Sequence, residues 1–235
     1  MTDSLRNKPA ILSFQGYTTI YSLIEQEVAG LTDTQLDWTS ANYAWADWSI
    51  RNNVSHMASS LFRWFLIRWG HQRYAPSNVF SIPDMPTLYP DNIPYESELS
   101  FLAQVPTRRM DDSRYWDMGV ILGKLSDAIN VVRTLLDRET LYFMQKHHII
   151  PEQVGQWKNL ETMKPGTVYQ DSSNPPRWCL TLEGTCWHLY YELVTHLYNV
   201  QRIKKAQGIP TRSDLPQEGY WTCLLYTSPS PRDRG

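Results

Sequence analysis

The sequence predicts an all-α fold, a four-helix bundle with two long irregular connections. Three observations carry that expectation. Four segments repeat apolar residues at spacings of three and four, the period of a helix with one buried face. Two Pro-rich stretches, which cannot continue a helix, separate some of them. No segment shows the strong apolar–polar alternation of a half-buried strand.

The first helix is expected over about Ile11 to Leu31, with Ile11, Phe14, Tyr17, Ile20, Ile24 and Val28 on one face. Pro9 suits its start and Gly30 its end. Thr32 or Asp33 then caps a short turn. A second helix should begin after Ser49, a good N-cap, and run to about Arg73. Residues 75–112 carry six prolines, with one short helix expected near Tyr95 to Gln104. Long ordered loops of this kind cover something or serve a site. A third helix is expected over about Tyr115 to Phe143, ended before Pro151. His147 and His148 near its end read as solvated residues that complement the helix dipole. Residues 151–177 read as irregular. Thr181 then opens the fourth helix, which continues to about Gln207.

Composition excludes several classes. The chain has 235 residues, 42% hydrophobic and 20% charged, enough for one domain with a real core. A net charge of −2 gives no electrostatic basis for binding nucleic acid. No run of about 18 apolar residues suggests a membrane span. The start, MTDSLRNKPA, lacks the apolar run of a signal peptide. Cys179, Cys186 and Cys223 form neither a CxxC pair nor a disulfide framework, so a reducing, cytoplasmic setting is expected. Residues 1–222 read as a single domain. Residues 223–235, CLLYTSPSPRDRG, change character abruptly and resemble the translated read-through of a transposon-end sequencing adapter. On that reading Cys223 is not native. Otherwise the stretch is a Ser/Pro-rich disordered tail, and in neither case does it carry function.

The fourth helix holds the candidate chemistry. Its first half is apolar except for His188, Glu192, His196 and Asn199. Their spacings of 4, 4 and 3 put them on one stripe. A carboxylate and an imidazole among apolar neighbours need partners, and a divalent ion is one. The second helix carries a matching stripe of Asn52, His56, Ser60 and Arg63. His56 with Glu192 and His196 makes a two-His, one-carboxylate set that leaves open positions on Zn, Ni, Fe or Mn. The plainer reading is a set of hydrogen-bonded core residues, since a Glu and a His four apart on a helix are common. Trp45, Trp48, Trp64 and Tyr191 line either a pocket beside this site or the core. No Ser-His-Asp or reactive-Cys arrangement is apparent, and no catalytic residue is assigned.

Two segments carry a family resemblance. WSIRNNVSHMA, Trp48 to Ala58, resembles the second-helix signature of the DinB-like superfamily, in which a Trp, a cap and an Arg precede a metal-binding His. The match falls on Trp48, Ser49, Arg51 and His56. ELVTHLYNVQRIKKAQGIP, Glu192 to Pro210, is similar to the family's fourth-helix pattern, and Gly208, Ile209 and Pro210 set its register. That register puts Glu192 and His196 on the two ligand positions. It leaves His188, Asn199 and Asn52 as residues that support the ligands or line the pocket. Two departures stand out: the first ligand is usually His, and the family's Arg-Gly-Gln is replaced by Leu197, Tyr198 and Asn199.

The resemblance implies a divergent metal-dependent enzyme, a thiol-dependent transferase or a hydrolase, with a divalent ion and a low-molecular-weight thiol. It implies a small-molecule substrate and is compatible with a homodimer. The alternative is a non-catalytic bundle that binds a small molecule or a partner, its metal structural or absent.

Overall fold

The computed structural model describes residues 7–69, 108–151 and 154–222. Among these the chain is mostly helical, with one small antiparallel sheet.

The N-terminal helix starts as a short 3-10 turn at Ala10–Ser13, preceded by Pro9, and resumes as α1 over Gly16–Val28. Gly30, at φ +70, closes it in the left-handed conformation that glycine adopts freely. Thr32 caps the short α2, Asp33–Leu36, in a reciprocal capping box with Gln35. Ser49 does the same for α3, Ile50–Phe62, with Asn52 as its box partner. Helix α3 runs into a π-helical stretch, Arg63–Trp69. The expected end of the second helix near Arg73 and the short helix expected near Tyr95 lie outside the described residues.

The third expected helix is two helices. Asp117 caps α4, Met118–Arg138, by accepting from Val120 N. Thr140 starts α5, Leu141–Lys146, by accepting from Phe143 N. The break between them is stitched to the N-terminal turn, where Ala10 N donates to Glu139 O. His147 lies just past α5 and donates from Nδ1 to Phe143 O at 2.8 Å. His148 is no cap; it opens β1, His148–Ile149.

The stretch expected to be irregular is ordered. It holds α6, Gln156–Met163, then β2, Val168–Asp171, and β3, Asn174–Thr181. The sheet order is β1-β3-β2, all antiparallel. The strands are short, and β3 buries only its last residues, so no alternation marks it. Pro175 and Pro176 fall where the register to β2 shifts, at a bulge that tolerates a missing N–H.

The last helix, α7, spans Leu182–Ala206 and is capped by Thr181, which accepts from Gly184 N. Helix α3 packs on α4 and α7, and α1 packs on the same two helices. The core is continuous from Phe14 and Ile20 through Val54, Leu125 and Val194.

At Gly184 the backbone of α7 meets that of Thr167, the residue before β2. A methyl group there would stand 2.4 Å from the carbonyl oxygen of Thr167. Gly184→Ala is therefore expected to destabilise by about 1–3 kcal/mol through forced backbone displacement. Urea denaturation checks this: the midpoint should drop with an unchanged slope, and an unchanged midpoint would show that the two elements yield freely.

Candidate metal centre

The centre is assembled by the contact of α3 with α7. On α3, the capping box at Ser49 fixes where helical geometry begins, which places His56 in the second turn. On α7, Glu192 and His196 lie one turn apart on the face toward α3. One donor atom from each of His56, Glu192 and His196 lies within 4.8 Å of the other two. Glu192 Oε2 is 3.7 Å from His196 Nε2. Two donors on one tetrahedral ion stand roughly 3.4 Å apart, so this pair needs little movement.

The imidazoles are held in matching tautomers. His56 Nδ1 is 2.9 Å from Arg108 O, and His196 Nδ1 is 2.7 Å from Asn53 Oδ1. Both partners are carbonyl oxygens, which only accept, so both Nδ1 atoms carry the proton. Nε2 is therefore the nitrogen each ring keeps for other partners: on His196 it faces Glu192 Oε2, and on His56 it lies 3.0 Å from Ser60 Oγ. This is the arrangement by which an outer partner orients a ligating histidine and raises its basicity.

The outer partners are themselves anchored. Asn53 Nδ2 donates to Ser49 O at 2.8 Å, which aims its oxygen at α7. Arg108 is a non-glycine residue at φ 59, a strained conformation that turns its carbonyl toward His56. Ser55 Oγ accepts from Met110 N at 3.1 Å and ties the same segment to α3. Arg51, which precedes His56 in the motif, does not touch the centre. It is buried and clamps Asp33 and Asp37, both at 2.6 Å, while stacking on Trp116. Burial opposes its charge, but the two carboxylates outweigh that and raise its pKa. Its role is to hold α2 and the start of α4 against α3.

Protonation states suit a cation. Burial, with the neighbouring His196 adding to it, pushes the His56 pKa down to about 3, so the ring is neutral at ordinary pH. Burial alone would raise the Glu192 pKa. The close approach of His196, with His188 and His56 nearby, outweighs it and lowers it to about 2, so the carboxylate is ionised. The His56 side is closed, with 8% exposure, whereas the Glu192 side chain keeps 28% and opens the site to solvent. Trp48 walls it, stacked on His196 at 5.9 Å and edge-on to His56 at 4.9 Å.

The other expected residues lie elsewhere. Asn52 completes the Ser49 capping box, its Oδ1 accepting from Ser49 N, so it serves the helix start and not the pocket. His188 is buried between Trp64 and Trp157, its Nδ1 2.9 Å from Tyr220 Oη. It lies near enough to Glu192 to help lower that carboxyl's pKa. Asn199 is half-buried farther along α7. Asn53 was the residue to single out on α3: it lies three before His56 and so shares its face. Arg108 has no such signal, because its contact is made by the backbone and spans 52 residues.

Ser60 Oγ lies 3.0 Å from His56 Nε2, the spacing of a nucleophile and its base. An imidazole that stays neutral down to about pH 3 is a poor general base, and this weighs against nucleophilic catalysis by Ser60. Cys186 is fully buried and its thiol is pushed up by that burial, so it offers no thiolate.

No protein-family model matches the chain, and no curated protein or solved structure proved similar to it. Among the described residues, no helix is long and apolar enough to cross a membrane.

Proposed function

We propose that the chain is a DinB-like four-helix bundle that holds a divalent ion through His56, Glu192 and His196 and uses it in a thiol-dependent transfer or a hydrolysis. The observation that carries this reading is the meeting of one donor atom each from His56, Glu192 and His196 within 4.8 Å of one another, with both imidazoles tied through Nδ1 to a carbonyl oxygen. The bundle assignment draws support from the pairwise packing of α1 and α3 on α4 and α7.

The donor set fits Zn, Ni, Fe or Mn. Three protein donors, with the Glu192 side open to solvent, favour a site with a free position over a closed structural one. An ion there supplies a positive centre that polarises a thiol, water or carbonyl group. The protein's own part is to orient. Asn53 and the Arg108 carbonyl fix the two rings, Trp48 excludes water from one side, and the open side admits a small-molecule substrate. A low-molecular-weight thiol as co-substrate, a cytoplasmic setting and a homodimer belong to the same reading.

Elemental analysis of the purified chain, supplied with Zn, Ni, Fe and Mn in turn, tests it. The expected result is about one ion per chain for at least one of them. Transfer of a thiol to a model electrophile should stop on chelation and return when the ion is restored. A chain that takes up none of the four ions would overturn the assignment, and activity indifferent to chelation would leave only the non-catalytic alternative.

A further inference from the structure

The two histidines differ in one respect. Each Nδ1 donates to a carbonyl oxygen, but His56 Nε2 also carries a hydroxyl, that of Ser60 one turn farther along α3. Because His56 Nδ1 is the donor to Arg108 O, the neutral ring has Nε2 as its acceptor, and the Ser60 hydroxyl donates. Ser60 is half-buried and on the same stripe as His56, with its oxygen at the nitrogen that would face the ion.

We propose that Ser60 is the hydrogen-bond donor to the anion, a thiolate or another monoanion, that shares the ion with His56, Glu192 and His196. The proposal rests on the metal reading above. One lone pair cannot serve both an ion and a hydroxyl proton. An ion on His56 Nε2 therefore releases the Ser60 hydroxyl, whose oxygen stands 3.0 Å from that nitrogen. Two kinds of acceptor are then in reach. One is the helix carbonyl a turn back, a local bond open to a helical serine. The other is a negative group on the ion, and bonds to charged acceptors are roughly twice as strong as neutral ones. The charged acceptor wins, and Ser60 thereby selects for anions over neutral molecules at the free position.

Cobalt(II) makes the site visible, because its absorption bands respond to each added ligand. The wild type, Ser60→Ala and Ser60→Thr, each loaded with cobalt, would be titrated with azide, with 2-mercaptoethanol and with neutral imidazole. All three proteins should bind cobalt alike. Azide and thiol should bind about tenfold or more weakly to Ser60→Ala, matching the loss of one bond to a charged group. Ser60→Thr should restore the affinity, and imidazole should bind all three equally. Equal azide affinity in Ser60→Ala would overturn the proposal. A loss of cobalt affinity in Ser60→Ala would also overturn it, by placing the hydroxyl on the ion or on Glu192. Failure of the wild type to take up cobalt would sink the metal reading itself and this proposal with it.

Discussion

Replacing Glu27 with Ala should cost about 3–5 kcal/mol of folding stability, the range seen when one partner of a buried ion pair is removed. Glu27 on α1 and Lys204 on α7 both have fully buried side chains, and the Lys204 ammonium also donates to Glu27 O at 2.9 Å. The second carboxylate oxygen is more heavily used still. It accepts from Gln201 Nε2 at 3.0 Å, Arg212 N at 2.9 Å, Ser213 N at 2.8 Å and Ser213 Oγ at 2.8 Å. One side chain thus joins α1, α7 and the segment after α7. Truncation strands a buried ammonium and two backbone N–H groups at once. Denaturant unfolding of Glu27→Ala measures the loss, and a deficit under about 1 kcal/mol would mean that water enters and replaces the carboxylate.

The same group sets an acid limit. Burial alone would raise the Glu27 pKa, but Lys204, Ser213 and the Arg212 and Ser213 N–H groups outweigh it and hold it below its ordinary 4.5. A carboxyl with a depressed folded pKa stabilises fully above its unfolded value and ceases to do so as pH falls through the folded one. Wild-type stability should therefore fall in acid below about pH 4.5, and more steeply than that of Glu27→Gln. Parallel acid slopes for the two proteins would remove Glu27 from the acid response.

His196→Ala should abolish metal binding while leaving the fold in place. The ion would lose one of three protein donors, a loss of affinity of at least about 100-fold given the 10–16 kcal/mol that complete ligand sets supply. After dialysis the variant should contain no ion under conditions where the wild type keeps one. The structural cost is smaller. His196 keeps 13% side-chain exposure, and its removal frees the Asn53 carbonyl, a loss of roughly 1–2 kcal/mol. A thermal melt alongside elemental analysis separates the two effects. Metal content equal to that of the wild type, in a folded variant, would eliminate His196 as a ligand.

The helices were legible where their ends are written in side chains. Ser49, Thr181 and Gly30 mark real boundaries because each acts within one turn of its own position. The third helix misled because its apolar period continues across Glu139 and Thr140. What breaks it is a distant contact with Ala10, which no local pattern carries. The sheet was hidden for a similar reason. Its burial comes from α7 and α6 above it, and its prolines mimic a loop. At the centre, helical spacing put Glu192 and His196 on one stripe with His188 and Asn199, and the register of the resemblance singled out the first two. The assignment of Asn52 failed by one residue: the capping box claims Asn52, and the next position faces α7.

The strained carbonyl at Arg108 has a consequence for how this centre tolerates change. Any residue at 108 presents the same oxygen, so side-chain replacement there leaves the hold on His56 chemically intact. What matters is the ease of reaching φ 59, which glycine and asparagine manage and β-branched residues resist. The orientation of one ring is therefore stored in backbone shape and not in residue identity. A scan by alanine would pass over position 108, whereas a scan by glycine and valine would reveal it.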